Sequence, residues 1–158
     1  MKIIVTSDSH QKYADLKEIV ELNLDSDLFI HLGDGMQEAM RISDENPELS
    51  FAFVRGNCDF LNYIDETVIE AEGLKLLCTH GHNYYVKREL DTLIRYTRSM
   101  DCDVVLYGHT HVAKSEQHGG LYVINPGSVY DDGSYAIINI SEGEPLCVQL
   151  SQLPGRTQ

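Results

Sequence analysis

Cationic residues are scarce in this chain. Twelve Lys and Arg stand against 25 Asp and Glu, for a formal net charge of -13, and no Lys/Arg cluster stands out. Such a surface repels phosphate backbones and anionic membranes unless bound cations reverse the field locally. Binding as a nucleic-acid scaffold and membrane attachment are therefore not expected. Long apolar runs are missing too, since no stretch approaches the roughly 20 residues that span a bilayer. Met1-Lys2 leads straight into a strand-like run without a signal peptide's apolar region and cleavage site. A cytoplasmic location is the expectation. The four cysteines form no C-x-x-C pair, which argues against a zinc ribbon or a redox motif. Cys78, Cys102 and Cys147 read as small buried core residues. No repeat, low-complexity segment or Gly/Ser/Pro-rich linker divides the 158 residues. One domain over 1–158 is expected, with 151–158 as a frayed tail.

What the chain does have is five short polar clusters, each just after an apolar run. They are Asp8-Ser9-His10, Gly33-Asp34, Gly56-Asn57-Cys58-Asp59, His80-Gly81-His82 and Gly108-His109-Thr110-His111. Together they hold five of the seven histidines. The preceding runs, such as Ile3-Ile4-Val5 and Val104-Val105-Leu106, read as buried strands. Open α/β sheets keep their ligands at such strand ends.

Helical spacing marks 13–24 (Leu16, Ile19, Val20, Leu24) and 86–100 (Val86, Leu90, Leu93, Ile94, Thr97). A short helix fits 36–45. The first half thus alternates strand and helix, which favours parallel pairing. Glu72-Gly73 between two apolar runs signals a hairpin. Leu121–Ile124, Tyr135–Ile140 and Leu146–Leu150 follow with no helix between them, an antiparallel meander. Two sheets packed face to face with helices outside satisfy both halves.

Each cluster alone fits a turn or a helix cap. The two H-x-H pairs are harder to explain that way, because neutral imidazoles are the commonest nitrogen ligands for metals. In conjunction, Asp8, Asp34, Asn57 and four or five of His10, His80, His82, His109 and His111 make a mixed oxygen and nitrogen donor set for two metals. Such a set suits Mn, Fe, Zn, Ni or Co. A structural zinc site would instead show Cys ligands. His31 sits within a strand and reads as a core residue or a supporting one.

In this order the motifs resemble those of the calcineurin-like metallophosphoesterases, and most closely their small bacterial and archaeal phosphodiesterase branch. The resemblance covers about 1–150 and includes Ile124-Asn125-Pro126-Gly127-Ser128. It implies a four-layer α/β/β/α sandwich of two mixed sheets. It implies one divalent ion held by Asp8, His10, Asp34 and His111, and a second held by Asp34, Asn57, His80 and His109. Asp34 would bridge them with one oxygen to each. Mn2+ is the first expectation, with Ni2+, Fe2+, Zn2+ or Co2+ as alternatives. The implied activity is hydrolysis of small-molecule phosphodiesters by a metal-bridging hydroxide. A phosphomonoesterase or nucleotidase on the same site and a non-catalytic protein scaffold are the alternatives. Relatives form homodimers or homotetramers, and no local feature here fixes that state. One position departs from the wider pattern: Cys58 stands where a His is thought to protonate the leaving group. Cys58, His82 and Asp59 are therefore the catalytic candidates, with Asp59 able to orient a neighbour. The 129–133 segment is shorter than in many relatives. Arg55 and Lys87 are the basic residues nearest the motifs.

Overall fold

The computed structural model describes residues 1–156. Alternation along the strands explains the layers. In β1 (Lys2–Thr6), Ile3 and Val5 point one way and Ile4 the other. Side chains two apart share a face of a strand. Ile3 and Val5 join Ile30, Leu32, Leu76, Leu106 and Ile138 in a core between two sheets. Ile4 joins Leu16, Ile19, Ala39 and Ile42 in a second core beneath α1 (Tyr13–Glu21) and α2 (Met36–Glu45). A third core packs Leu77, Val105 and Val123 against Leu93 and Ile94 of α3 (Asp91–Ser99). The order of layers is α/β/β/α, as expected.

In the first sheet, β1 runs parallel to β2 (Leu28–His31), which runs parallel to β3 (Phe51–Phe53). In the second, β4 (Glu66–Ala71) and β5 (Leu74–Thr79) form the hairpin around Glu72-Gly73. Strand β6 (Val104–Tyr107) then lies parallel to β5. The chain continues through β7 (Lys114–His118), β8 (Leu121–Asn125), α4 (Val129–Asp132), β9 (Ser134–Asn139) and β10 (Cys147–Gln152). The sheet orders are β10-β9-β1-β2-β3 and β4-β5-β6-β8-β7.

Five features depart from expectation. The meander is divided between the sheets. Strand β8 pairs parallel with β6, while β9 crosses over to pair antiparallel with β1. Its apolar runs fix burial but not the partner. Strand β7 was not foreseen, because an edge strand needs few apolar side chains and this one is Lys-Ser-Glu-Gln-His. The helix expected over 86–100 begins only at Asp91, although Val86 and Leu90 reach the same core from the preceding turn. The tail is not frayed from 151. Ser151 and Gln152 pair with β9, and Leu153 is 3% exposed in the core under α1. Arg156 pairs with Asp15. Positions 157–158 of that expected tail lie outside the described residues. Cys78 and Cys102 are buried as expected, but Cys147 is exposed because it opens the edge strand β10. Among the described residues no helix is long and apolar enough to cross a membrane.

The tail correction is testable. Leu153→Ala should cost about 2–4 kcal/mol, the usual range for truncating a buried Leu. Urea unfolding should show a lower midpoint with an unchanged slope. A cost under about 0.5 kcal/mol, typical of surface substitutions, would mean the tail is not docked.

Candidate metal centre

All five clusters leave strands at one edge of the sandwich. Asp8 follows β1, Asp34 follows β2, Asn57 follows β3, His80 follows β5 and His109 follows β6. Backbone bonds stitch the loops together: Asp8 N–H to Gly33 O (2.9 Å), His10 N–H to Asp34 O (3.0 Å) and Gly108 N–H to His80 O (3.1 Å). Asp8, His10, Asp34, His109 and His111 all have φ between 40° and 67°. L-residues rarely hold this left-handed conformation, and its cost concentrates at functional sites. Close approach also demands glycine. A Cβ on Gly108 would sit 1.9 Å from Ser7 Oγ, and one on Gly56 would sit 2.1 Å from Asp34 Oδ1.

Three overlapping donor groups result: Asp8 with His10 and His111, Asp34 with His80 and His109, and, between them, His10 with Asp34 and Cys58. His111 Nε2 lies 3.1 Å from Asp8 Oδ1, and His80 Nε2 lies 3.4 Å from Asp34 Oδ2. The groups touch, since His10 Nε2 is 3.9 Å from both carboxylates and 3.4 Å from His111 Nε2. Asp34 Oδ1 accepts the Cys58 N–H at 2.7 Å, and Oδ2 faces His10 and His80. Asn57 is exposed on the adjoining loop, its amide donating to Cys58 Sγ at 3.2 Å. It lines an open cleft of about 410 Å³ beside Asp34 and His10.

The polar bookkeeping of the cage fits cations. Asp8 is fully buried, and its Oδ1 makes no well-aligned hydrogen bond; it faces imidazole nitrogens, His111 Nε2 at 3.1 Å and those of His10 and His80 at 3.9 Å. Its Oδ2 accepts from the Ser7 hydroxyl (2.6 Å) and the His109 N–H (3.0 Å). A buried carboxylate oxygen left without a well-aligned donor is costly unless a cation meets it. The imidazoles are aimed from behind. His80 Nδ1 bonds Leu32 O at 2.8 Å and His111 Nδ1 bonds Asp131 Oδ2 at 2.6 Å. Such partners fix tautomer and ring orientation in metal sites.

Without cations the histidines share this work. Burial pushes Asp8 up, but His111, His80 and the Ser7 hydroxyl together hold it below the ordinary carboxylate range. Burial likewise opposes ionisation of Asp34, yet His80 and the Cys58 amide keep it well below that range. Contact with Asp8, reinforced by Asp131, raises His111 to about 9. Burial lowers His80, but Asp34 and Asp8 outweigh it and raise the imidazole. His109 is lowered to about 4 by burial, then by His80 and Lys87.

The three catalytic candidates fare differently. Asp59 does not face the cleft with a free oxygen. Its Oδ1 accepts from Gly35 N–H (2.9 Å) and Met36 N–H (3.0 Å), its Oδ2 from Asp34 N–H (2.8 Å) and Gly56 N–H (2.8 Å). Both oxygens are consumed in clasping the loop that carries Asp34. His82 begins a one-turn 3-10 helix (His82–Tyr84), its ring centroid 5.5 Å from that of His80. Burial and the neighbouring His80 lower its pKa. Burial and Asp34 push the Cys58 thiol up to about 11.

Residues that sequence reasoning missed are the supports: Ser7, Leu32 through its carbonyl, and Asp131. Asp131 lies in the short 129–133 segment, which forms α4 behind a Ser128 cap. Asn125 donates to Gly108 O and Thr110 Oγ1, both at 3.0 Å, and so braces the last histidine loop. Arg55 is bound to Asp65 at 2.7 Å, and His31 is buried against the Thr6 hydroxyl at 3.0 Å.

The calcineurin-like phosphoesterase superfamily domain matches residues 1–143. The chain belongs to this superfamily. It is 36% identical over 148 residues to a probable metallophosphoesterase of Bacillus subtilis, YsnB, covering 89% of this chain and 85% of that protein. Phosphodiesterase MJ0936 of Methanocaldococcus jannaschii is 32% identical over 144 residues, covering 80% and 83%. A Streptococcus pneumoniae protein described as a predicted phosphoesterase superposes with a TM-score of 0.83 at 26% identity, covering 98% and 93%. Vps29 of Entamoeba histolytica, in a zinc complex, superposes at 0.73 with 20% identity, covering 96% and 98%, which shows the shared fold. Members of this superfamily use divalent metals, and the clustered Asp and His donors described above are candidates to hold them.

The clasp makes a prediction. Asp59→Ala should cost about 2–4 kcal/mol, since it strips a charged acceptor from four amides. Asp59→Asn should cost nearly as much, because its NH2 would face two N–H donors. Wild-type thermal stability in Asp59→Asn would refute the clasp.

Proposed function

We propose that this metallophosphoesterase is a dinuclear-metal-dependent phosphodiesterase. Asp8, His10, Asp34 and His111 would hold one divalent ion, and Asp34, Asn57, His80 and His109 the other. The donor set is neutral imidazole, carboxylate and amide, which favours Mn2+ and its first-row neighbours. Bound there, the ions would supply a hydroxide at neutral pH and neutralise phosphoryl oxygens.

The observation that carries the diester reading is the cleft wall. It contains no Lys or Arg: Gln11, Gln37, Glu38 and Phe60 line it beside the cage. Arg55 is taken by Asp65. A diester brings one negative charge and a monoester close to two, so an acidic wall without cations favours the diester. The chain's own groups orient and exclude. Asp59 fixes the Asp34 loop, Asp131 and Leu32 O aim the imidazoles, and Ser7 anchors Asp8. None of them offers a strong acid to the leaving group. In the metal-free protein burial and Asp34 push the Cys58 thiol up to about 11, and burial with His80 lowers His82, so neither group is set up as a charged acid there. Leaving groups should therefore depart on their own acidity.

Two measurements test this. First, the Mn2+-reconstituted protein should cleave nitrophenyl phosphodiesters far faster than alkyl diesters and monoesters. Asp34→Ala should lower the rate by more than about 100-fold, beyond what loss of a supporting partner costs. His82→Ala should change little, and Cys58→His should help alkyl esters selectively. Equal wild-type rates on nitrophenyl and alkyl diesters would remove the missing-acid argument. Monoester preference would select the monoesterase, and no metal uptake with no hydrolysis would select the scaffold. Second, metal binding should release protons. His111 at about 9 is protonated at pH 7.5, and coordination needs its neutral form. Calorimetry of Mn2+ binding in buffers of different ionisation heat should show at least one proton released at pH 7.5. Release should fall by about one proton as the pH rises through 9, leaving what the metal-bound water gives up, and affinity should rise with pH up to that point. No buffer dependence at pH 7.5 would count against His111 as a ligand.

A further inference from the structure

Phe60 is the most exposed large apolar side chain described, at 97%. A ring left in water forgoes the stabilisation that burial would return. It does not sit on a remote loop. It follows Asn57, Cys58 and Asp59 directly and lines the same cleft as His10, Asp34 and Asn57. The Asp59 clasp holds the start of its loop to the Asp34 loop, so the base of the ring is fixed close to the cage.

The rest of the wall narrows what can lie on this ring. Glu38 already accepts from the Gln11 backbone N–H and the Ser9 hydroxyl. The side-chain amides of Gln11 and Gln37 offer both donors and acceptors. With no cation on the wall, a second phosphate is not accommodated there. A flat, uncharged ring with hydrogen-bonding edges is. Aromatic side chains stack on such rings tolerantly of their identity, because every base has a π-face.

The geometry points to Phe60 as a stacking platform for an aromatic ring carried by the phosphoester, with Gln11 and Gln37 toward its edges. The substrates would then be phosphodiesters of aryl or heterocyclic alcohols and nucleosides rather than simple alkyl diesters. This inference rests on the phosphoester site proposed above. It makes Phe60 a specificity-determining residue that leaves the chemistry untouched.

The test compares two phosphodiesters that differ by one ring. The methyl diesters of adenosine 5′-monophosphate and of ribose 5-phosphate, each singly charged and without an acidic leaving group, would be titrated calorimetrically into the Mn2+-loaded protein. Wild type should bind the adenosine compound about 5- to 100-fold more tightly, the range that base stacking gives. Phe60→Ala should erase that difference while leaving affinity for the ribose diester unchanged, and Phe60→Tyr should retain it. A fully exposed side chain can be truncated without disturbing the core, so the variants should fold. Equal wild-type affinities would overturn the platform while leaving the phosphate site intact. Parallel loss of both ligands in Phe60→Ala would overturn it as well. If wild type binds neither diester, the phosphoester reading itself fails and the platform with it. Sedimentation showing a wild-type dimer that Phe60→Ala dissociates would assign the ring to a second copy of the chain and overturn the platform.

Discussion

Two buried carboxylates, each with an oxygen turned toward a ring of imidazoles, set the terms for the rest of this structure. Asp8 Oδ1 faces His111 at 3.1 Å, and Asp34 Oδ2 faces His80 and His10 together. Charges of this kind are costly in a protein interior unless paired. Protonated His111 relieves part of that cost in the metal-free protein, and Asp34 and Asp8 raise His80 in the same direction. Divalent cations would relieve the rest and take the His111 proton away. The architecture around the cage serves to keep four loops close enough for this exchange.

That closeness is maintained by hydrogen bonds to backbone more than by packing. Asp59 gathers four amides from two loops. Asp8 is held through Ser7 and the His109 N–H. Ser128 donates to Asp8 O and accepts from Asp131 N–H, linking α4 to the β1 loop at 3.1 Å in each case. The left-handed φ values at five expected ligands, from Asp8 to His111, are tolerable only because these bonds over-determine the loops. Rigid strands beneath them, buried on both faces, provide the fixed base that loop-borne chemistry needs. The cage is closed by backbone, whereas the cleft beside it is open, lined by carboxylates and amides without Lys or Arg, and bordered by Phe60. Charge selection and shape selection are thus assigned to adjacent surfaces.

Much of this was legible without coordinates. The apolar runs of Ile3–Val5 and Val104–Leu106 are strands because burial on both faces leaves no polar alternation. Glu72-Gly73 is a turn because left-handed φ is needed there, at 48° and 82°. The polar clusters sit at strand ends because nothing else could interrupt buried strands so regularly. Other features were not legible. Strand β7 has no apolar signature, since an edge strand needs none. Leu153 looked like part of a polar tail because its burial depends on α1, far away in sequence. Asp131 sat in a segment too short to attract notice.

The sequence by itself determined the kinds of donor available, their order at successive strand ends, the layered α/β class and the scarcity of cations. These follow from composition and periodicity, which are local properties. Only the tertiary structure decided that both oxygens of Asp59 are taken by backbone amides, that Asp34 Oδ2 faces His10 and His80 together, and that β8 and β9 belong to different sheets. It also decided that Phe60 stands in the open beside the cage. The physical reason is the same in each case: hydrogen-bond partners and burial are set by what the fold brings from distant positions, and one carboxylate or one aromatic ring carries no mark of its neighbours.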